Sequence, residues 1–197
     1  MRALLQLSRL IDCFTTIIGK AVGWLVLVAV VISAGNAVVR KVFSTSSNAW
    51  LDAQWFLFGA VFMLCASLAL LKNGHVRIDL LMAGRSKRTR DLVDVFGHVV
   101  FLIPLTVLMI YESYPFAMRS LMLGEASPNA GGLPVWPAKM LILVGFVLLF
   151  IQAISELIKR VAILRGQMED PDIPQDDDMP ELVEVSGPGA DSSERTS

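Results

Sequence analysis

The run "AVGWLVLVAVVISAGNAVV", Ala21 to Val39, holds 19 residues without an Asp, Glu, Lys or Arg. At about 1.5 Å of rise per residue, a helix of that length reaches close to the ~30 Å thickness of a bilayer's hydrocarbon core. Three more such runs follow: Ala53–Leu71 with 19 residues, Val95–Tyr111 with 17 and Met140–Ser155 with 16. The third continues past Glu112 through "SYPFAM", and the fourth starts earlier, in "LPVWPAKMLIL". Lys139 and Trp136 then sit at one membrane interface, where a lysine stem can snorkel. The composition agrees, with 54% hydrophobic and only 18% charged residues, against about a quarter charged in soluble domains. Backbone polar groups in lipid have to bond within their own segment, and no segment shows the sustained alternation of a barrel strand. The expectation is an all-α membrane protein with four transmembrane helices, at about 17–40, 50–71, 93–117 and 135–160, in a membrane domain of residues 1–166.

Lys and Arg set the orientation. Arg2 and Arg9, the six bases between spans two and three (Lys72, Arg77, Arg85, Lys87, Arg88, Arg90), and Lys159, Arg160 and Arg165 put eleven on one side. Arg40, Lys41, Arg119 and Lys139 put at most four on the other. Both termini are therefore expected in the cytoplasm. The small residues of "VISAGNA" offer a peptidase a site, but the apolar run is longer than a signal-peptide core, so the first span is expected to be retained. Ahead of it, "MRALLQLSRLIDCF" spaces Leu4, Leu7, Leu10, Ile11 and Phe14 helically and predicts a short amphipathic lead-in on the inner surface.

The tail differs from the rest. Glu169 to Ser197 carries ten acidic residues, one base (Arg195) and four prolines, so the net charge of −1 conceals a membrane body with 16 basic and 8 acidic residues. A segment this polar cannot bury enough apolar surface to offset its ordering, and residues 167–197 are expected to be disordered. A solvated extension is the simpler account of it, a docking arm the alternative.

No catalytic, cofactor or metal site is expected. Cys13 and Cys65 form no Cys-x-x-Cys pair and read as apolar filler. His98 lies one turn into span three with Asp94 four residues earlier on the same face, an arrangement that reads as a satisfied polar contact rather than a ligand pair. Glu112, with Tyr111 and Tyr114, reads as interfacial, and Pro104 as a kink. Gly19 and Gly23, four apart, permit a close helix approach. Ser33, Asn36, Gln54 and Ser155 lie toward span ends, and nothing in the sequence makes polar groups converge at mid-membrane as a carrier needs. After span two, "LLKNGHVRIDLL" (Leu70–Leu81) alternates His75, Arg77 and Asp79 with Val76, Ile78 and Leu80. Without a nucleophile or further ligands nearby, this trio marks a membrane exit and a docking segment, not an active site.

Four stretches carry a family resemblance: "GHVRIDLL" after span two, "NAWLDAQWFLF" (Asn48–Phe58), "SPNAGGLPVWPAKMLI" (Ser127–Ile142) and "GFVLLFIQAISELIK" (Gly145–Lys159), the last with a late Gln and Glu. Together they resemble the small, DctQ-like membrane subunit of tripartite ATP-independent periplasmic (TRAP) transporters. One departure is that Trp55 and Phe56 stand where many relatives have an Arg after the acidic residue of span two. The resemblance implies a scaffold, without cofactor, for a large DctM-like membrane subunit that imports an organic acid with sodium ions. A periplasmic solute-binding protein would deliver the acid at the bacterial inner membrane. The interface residues expected on this basis are Trp50, Asp52, Gln54, His75, Arg77, Asp79, Asn129, Gly131, Gly132, Trp136 and Lys139. The rival classes are the membrane anchor of a haem or quinone enzyme and a self-sufficient small carrier. A haem Soret band would mark the first and unaided transport the second.

Overall fold

The computed structural model describes residues 2–44, 47–72 and 87–165. Helix α1 spans Arg2–Phe43 and α2 Asn48–Leu71; α3 (Lys87–Gly97) passes through a π-helical turn (His98–Leu102) into α4 (Ile103–Leu123), and α5 spans Trp136–Leu164. Four stretches are long and apolar enough to cross a membrane: Leu4–Phe43, Asn48–Leu71, Leu92–Leu123 and Trp136–Leu164. The acidic tail and the segment with His75, Arg77 and Asp79 lie outside the described residues.

The lead-in is not a separate surface helix. It forms the first turns of α1, whose 42 residues extend about 63 Å, twice the hydrocarbon core. The reason lies in its polar side chains. Ser8 and Thr15 are buried and bond to α5 rather than to water, so the helix is held alongside the bundle.

Helix α5 occupies the middle of the bundle, packing on α1, α2 and α4, whereas α4 packs chiefly on α5. Small residues let the backbones approach. A Cβ on Gly145 would lie 2.8 Å from Met63 Cβ of α2, and one on Gly19 would overlap Leu68. Gly23 has nothing within 4 Å, so of the expected pair Gly19 alone serves a close approach. The buried apolar residues are small, among them Val22, Ala29, Ala60, Ala117 and Ala153, while Trp24, Phe62, Tyr111 and Met122 point outward. This is the arrangement expected of helices solvated by lipid, where close backbone packing replaces a large apolar core.

Span three does not simply bend at Pro104. The turn before it widens, and the Ile103 N–H donates to the His98 carbonyl five residues back. A π turn here relieves the clash that the proline ring would make with the carbonyl four residues earlier. The Thr106 hydroxyl, fully buried, donates to the Leu102 and Ile103 carbonyls at 2.9 Å.

Candidate functional sites: two polar latches

At one end of the bundle the α4–α5 connection folds back over α2. Gly124, at φ 57°, ends α4 in the left-handed conformation that glycine tolerates. The Glu125 N–H then closes onto the Ser120 carbonyl at 3.1 Å. The connection pairs with itself: Ser127 N–H donates to Leu133 O at 2.9 Å and Val135 N–H to Glu125 O at 2.8 Å. Asp52, buried in the second turn of α2, holds it down. One carboxylate oxygen accepts the Asn129 side-chain amide at 3.0 Å, and the other accepts the Leu133 N–H at 3.1 Å. Asn48 adds a bond from Nδ2 to the Ala130 carbonyl at 3.0 Å. Gly132 is glycine because of this carboxylate: a Cβ there would stand 2.5 Å from Asp52 Oδ2 and 2.6 Å from Ser127 Cβ. Gly131, at φ 71°, makes the turn itself.

The same end carries an ion pair between Lys139 and Glu125, and Lys139 Nζ lies 4.2 Å from the Phe116 ring centroid. The Lys139 ammonium holds the Glu125 carboxyl below its ordinary value of 4.5. A carboxylate so depressed stabilises the fold above its unfolded pKa, and that contribution is lost as pH falls through the folded value. The thermal midpoint of the wild type is therefore expected to drop on acidification below about pH 4.5 more steeply than that of Glu125→Gln. Identical profiles in that window would show that the pair contributes nothing.

The second latch joins α1 to α5 near the chain termini. Gln152, with no exposed surface, is its centre. Its Oε1 accepts the Thr15 hydroxyl at 2.7 Å, and its Nε2 donates to Asp12 at 2.9 Å and to Glu156 at 3.1 Å. Asp12 also accepts from the Ser155 hydroxyl at 2.9 Å and from Lys159 at 3.0 Å. Lys159 bonds Glu156 as well, and the Ser8 and Ser155 hydroxyls meet at 2.7 Å. Both donors of the Gln152 amide and one of its two acceptor lone pairs are used within the protein, so the cluster ties the helices together.

Beside this latch, Arg160 Nη1 approaches Asp94 Oδ2 at 3.8 Å. The expected Asp94–His98 contact forms, but not through the carboxylate. His98 is satisfied on one side, but by the Asp94 backbone carbonyl, 2.8 Å from Nδ1. A carbonyl can only accept, so Nδ1 carries the proton, and the buried Nε2 has no hydrogen-bond partner among the described residues.

Of the expected site residues, the structure brings Asp52, Asn129, Gly131 and Gly132 into the first latch, with Lys139 beside it. Trp50 and Trp136, on helices α2 and α5, are exposed, while Gln54 on α2 is half-buried. His75, Arg77 and Asp79 lie outside the described residues. The second latch does gather polar groups, at the end of the bundle near the chain termini, and they are bonded to one another. Ser8, Asp12 and Thr15, four and three residues apart, face Gln152, Ser155 and Lys159 at similar spacing. That pair of stripes is the signal sequence reasoning passed over. Among the described residues no three His, Cys, Asp or Glu side chains are placed to hold a metal ion.

No curated protein and no solved structure matches the chain. A family model does, over residues 28–162: "Tripartite ATP-independent periplasmic transporters, DctQ component". The match takes in the Asp52 latch and the α5 half of the Gln152 latch, while Ser8, Asp12 and Thr15 precede it. With four membrane-length helices in the same chain, the conclusion is that this protein belongs to the DctQ family, the small membrane component of TRAP transporters.

Proposed function

We propose that the chain is the static frame of a sodium-coupled uptake system for an organic acid. It would lie in the inner membrane with both termini cytoplasmic, bound to a large DctM-like subunit that a periplasmic solute-binding protein supplies. The observation that carries this reading is the use of the buried polar groups. In the Gln152 cluster, carboxylates, amide and ammonium bond to one another across helices, whereas a carrier needs such groups open to its cargo. A latch at each end and small-residue packing between them favour a body that resists shear. The loop held by Asp52 is on the periplasmic side in this orientation, and Trp50, Gln54, Asn129, Gly131, Gly132, Trp136 and Lys139 surround it as a contact surface. His75, Arg77 and Asp79 are the contact proposed on the cytoplasmic side.

Affinity purification of the large subunit tests the assignment. The wild-type chain is expected to copurify, and Asp52→Ala, Arg77→Ala and Asp79→Ala to reduce its yield. Undiminished recovery of all three variants would remove these residues from the interface, and failure of the wild type to copurify would remove the frame itself.

A further inference from the structure

We propose that the acidic C-terminal tail docks on the outward face of the first turns of α1. The Gln152 latch fixes which way this part of α1 faces. With Ser8 and Thr15 turned to α5, Leu7, Leu10, Phe14 and Ile17 are left 49%, 69%, 55% and 61% exposed. Their spacing of three, four and three residues makes one continuous stripe.

Lipid does not account for the whole stripe. Helix α2, with 24 residues, is about 36 Å long and matches the bilayer by itself. Gly19 lies against Leu68, four residues before Lys72, which caps α2, so with antiparallel packing the residues before about Thr15 stand beyond that end. The hydrocarbon then covers Phe14 and Ile17, whereas Leu7 and Leu10 lie at or past the headgroups.

The occupant is indicated by charge and by chain path. Arg9 and Lys20, eleven residues apart and so on one flank of the helix, are both exposed. The only acidic residue in the first half of α1, Asp12, is taken up by Lys159. A second copy would set like charges together. The tail has the opposite charge, with ten acidic residues against one base from Glu169 onward, and "DDDMPELVEV" (Asp176–Val185) interleaves acids with Met179, Leu182, Val183 and Val185. It also starts in the right place. Ser8 pairs with Ser155, so the antiparallel register brings the end of α5 at Leu164 level with the first turn of α1. From Arg165 to Met179 the chain reaches at most about 50 Å, more than the ~15 Å that the stripe spans. The Arg9 end of the basic flank, level with Leu7 and Leu10, draws the acids in, and those two leucines receive the aliphatic side chains between them.

The test is modification of Gln6→Cys, an exposed position between stripe and basic flank, in a chain carrying Cys13→Ser and Cys65→Ser. With a bulky maleimide at about 10 mM salt, where the Debye length is ~30 Å, the full chain should react several-fold more slowly than a chain ending at Gln167. Arg9→Glu and about 1 M salt should each remove the protection. Oxidation of a chain with Gln6→Cys and Val183→Cys should give an intramolecular disulfide. Equal reaction rates at low salt would overturn the proposal. So would protection that survives truncation, which points to lipid or another protein, or protection that grows with protein concentration, which points to a second copy.

Discussion

Gln152→Leu is expected to be the most damaging single substitution in the described bundle. The side chain has no exposed surface and bonds three partners on two helices, Thr15, Asp12 and Glu156. Leucine fills nearly the same volume, so a cavity is not the cause. What is lost is the donor that separates two carboxylates and the acceptor that satisfies a buried hydroxyl. Leaving such groups unpaired costs about 1–3 kcal/mol each before relaxation. Lys159 still neutralises part of the charge, which brings the expected loss to about 2–4 kcal/mol. Thermal unfolding in detergent or nanodiscs measures it, and a double-mutant cycle with Thr15→Val should show strong non-additivity because the two side chains share one bond. A midpoint within a degree or two of the wild type would mean that the latch is not formed.

The second large effect is expected at Gly132. Alanine there would bring its Cβ to 2.5 Å from Asp52 Oδ2 and 2.6 Å from Ser127 Cβ. The carboxylate is the end of a short side chain already fixed by Asn129 and Leu133, so it cannot give way without releasing one of those bonds. The expected loss is about 1–3 kcal/mol, concentrated in the α4–α5 connection. Limited proteolysis between Glu125 and Val135 should therefore accelerate more than global unfolding does. Asp52→Ala should open the same loop by a different route. Combining the two should cost less than their sum, since the alanine methyl then has one obstacle fewer. Full additivity would indicate that the clash lies with Ser127 alone.

Much of this architecture is legible in the chain because hydrophobic length is a coarse and robust quantity. Four charge-free runs specify four helices whatever their neighbours do, and Asp52, Asn129 and the Gly131–Gly132 pair attract notice as polar and turn-forming residues near span ends. The α1–α5 latch was harder to see. Leu7, Leu10 and Phe14 read as the side that seeks an apolar surface, and nothing local marks Ser8, Asp12 and Thr15 as a bonding stripe. Their partners Gln152 and Lys159 stand on a helix distant in sequence, which no local pattern reveals. His98 shows the same limit at smaller scale. The i, i+4 spacing with Asp94 is real, but the carboxylate approaches Arg160 and the backbone carbonyl bonds the ring. Spacing places two residues on one face of a helix and does not say which atom of each will bond.

The central claim is that this polypeptide supports transport without conducting it, and vesicle reconstitution tests it most directly. Three preparations should be compared for sodium-driven accumulation of the solute presented by the cognate binding protein: this chain alone, the large subunit alone, and both together. Uptake is predicted only when both are present. Accumulation by this chain alone, or full activity of the large subunit without it, would contradict the account.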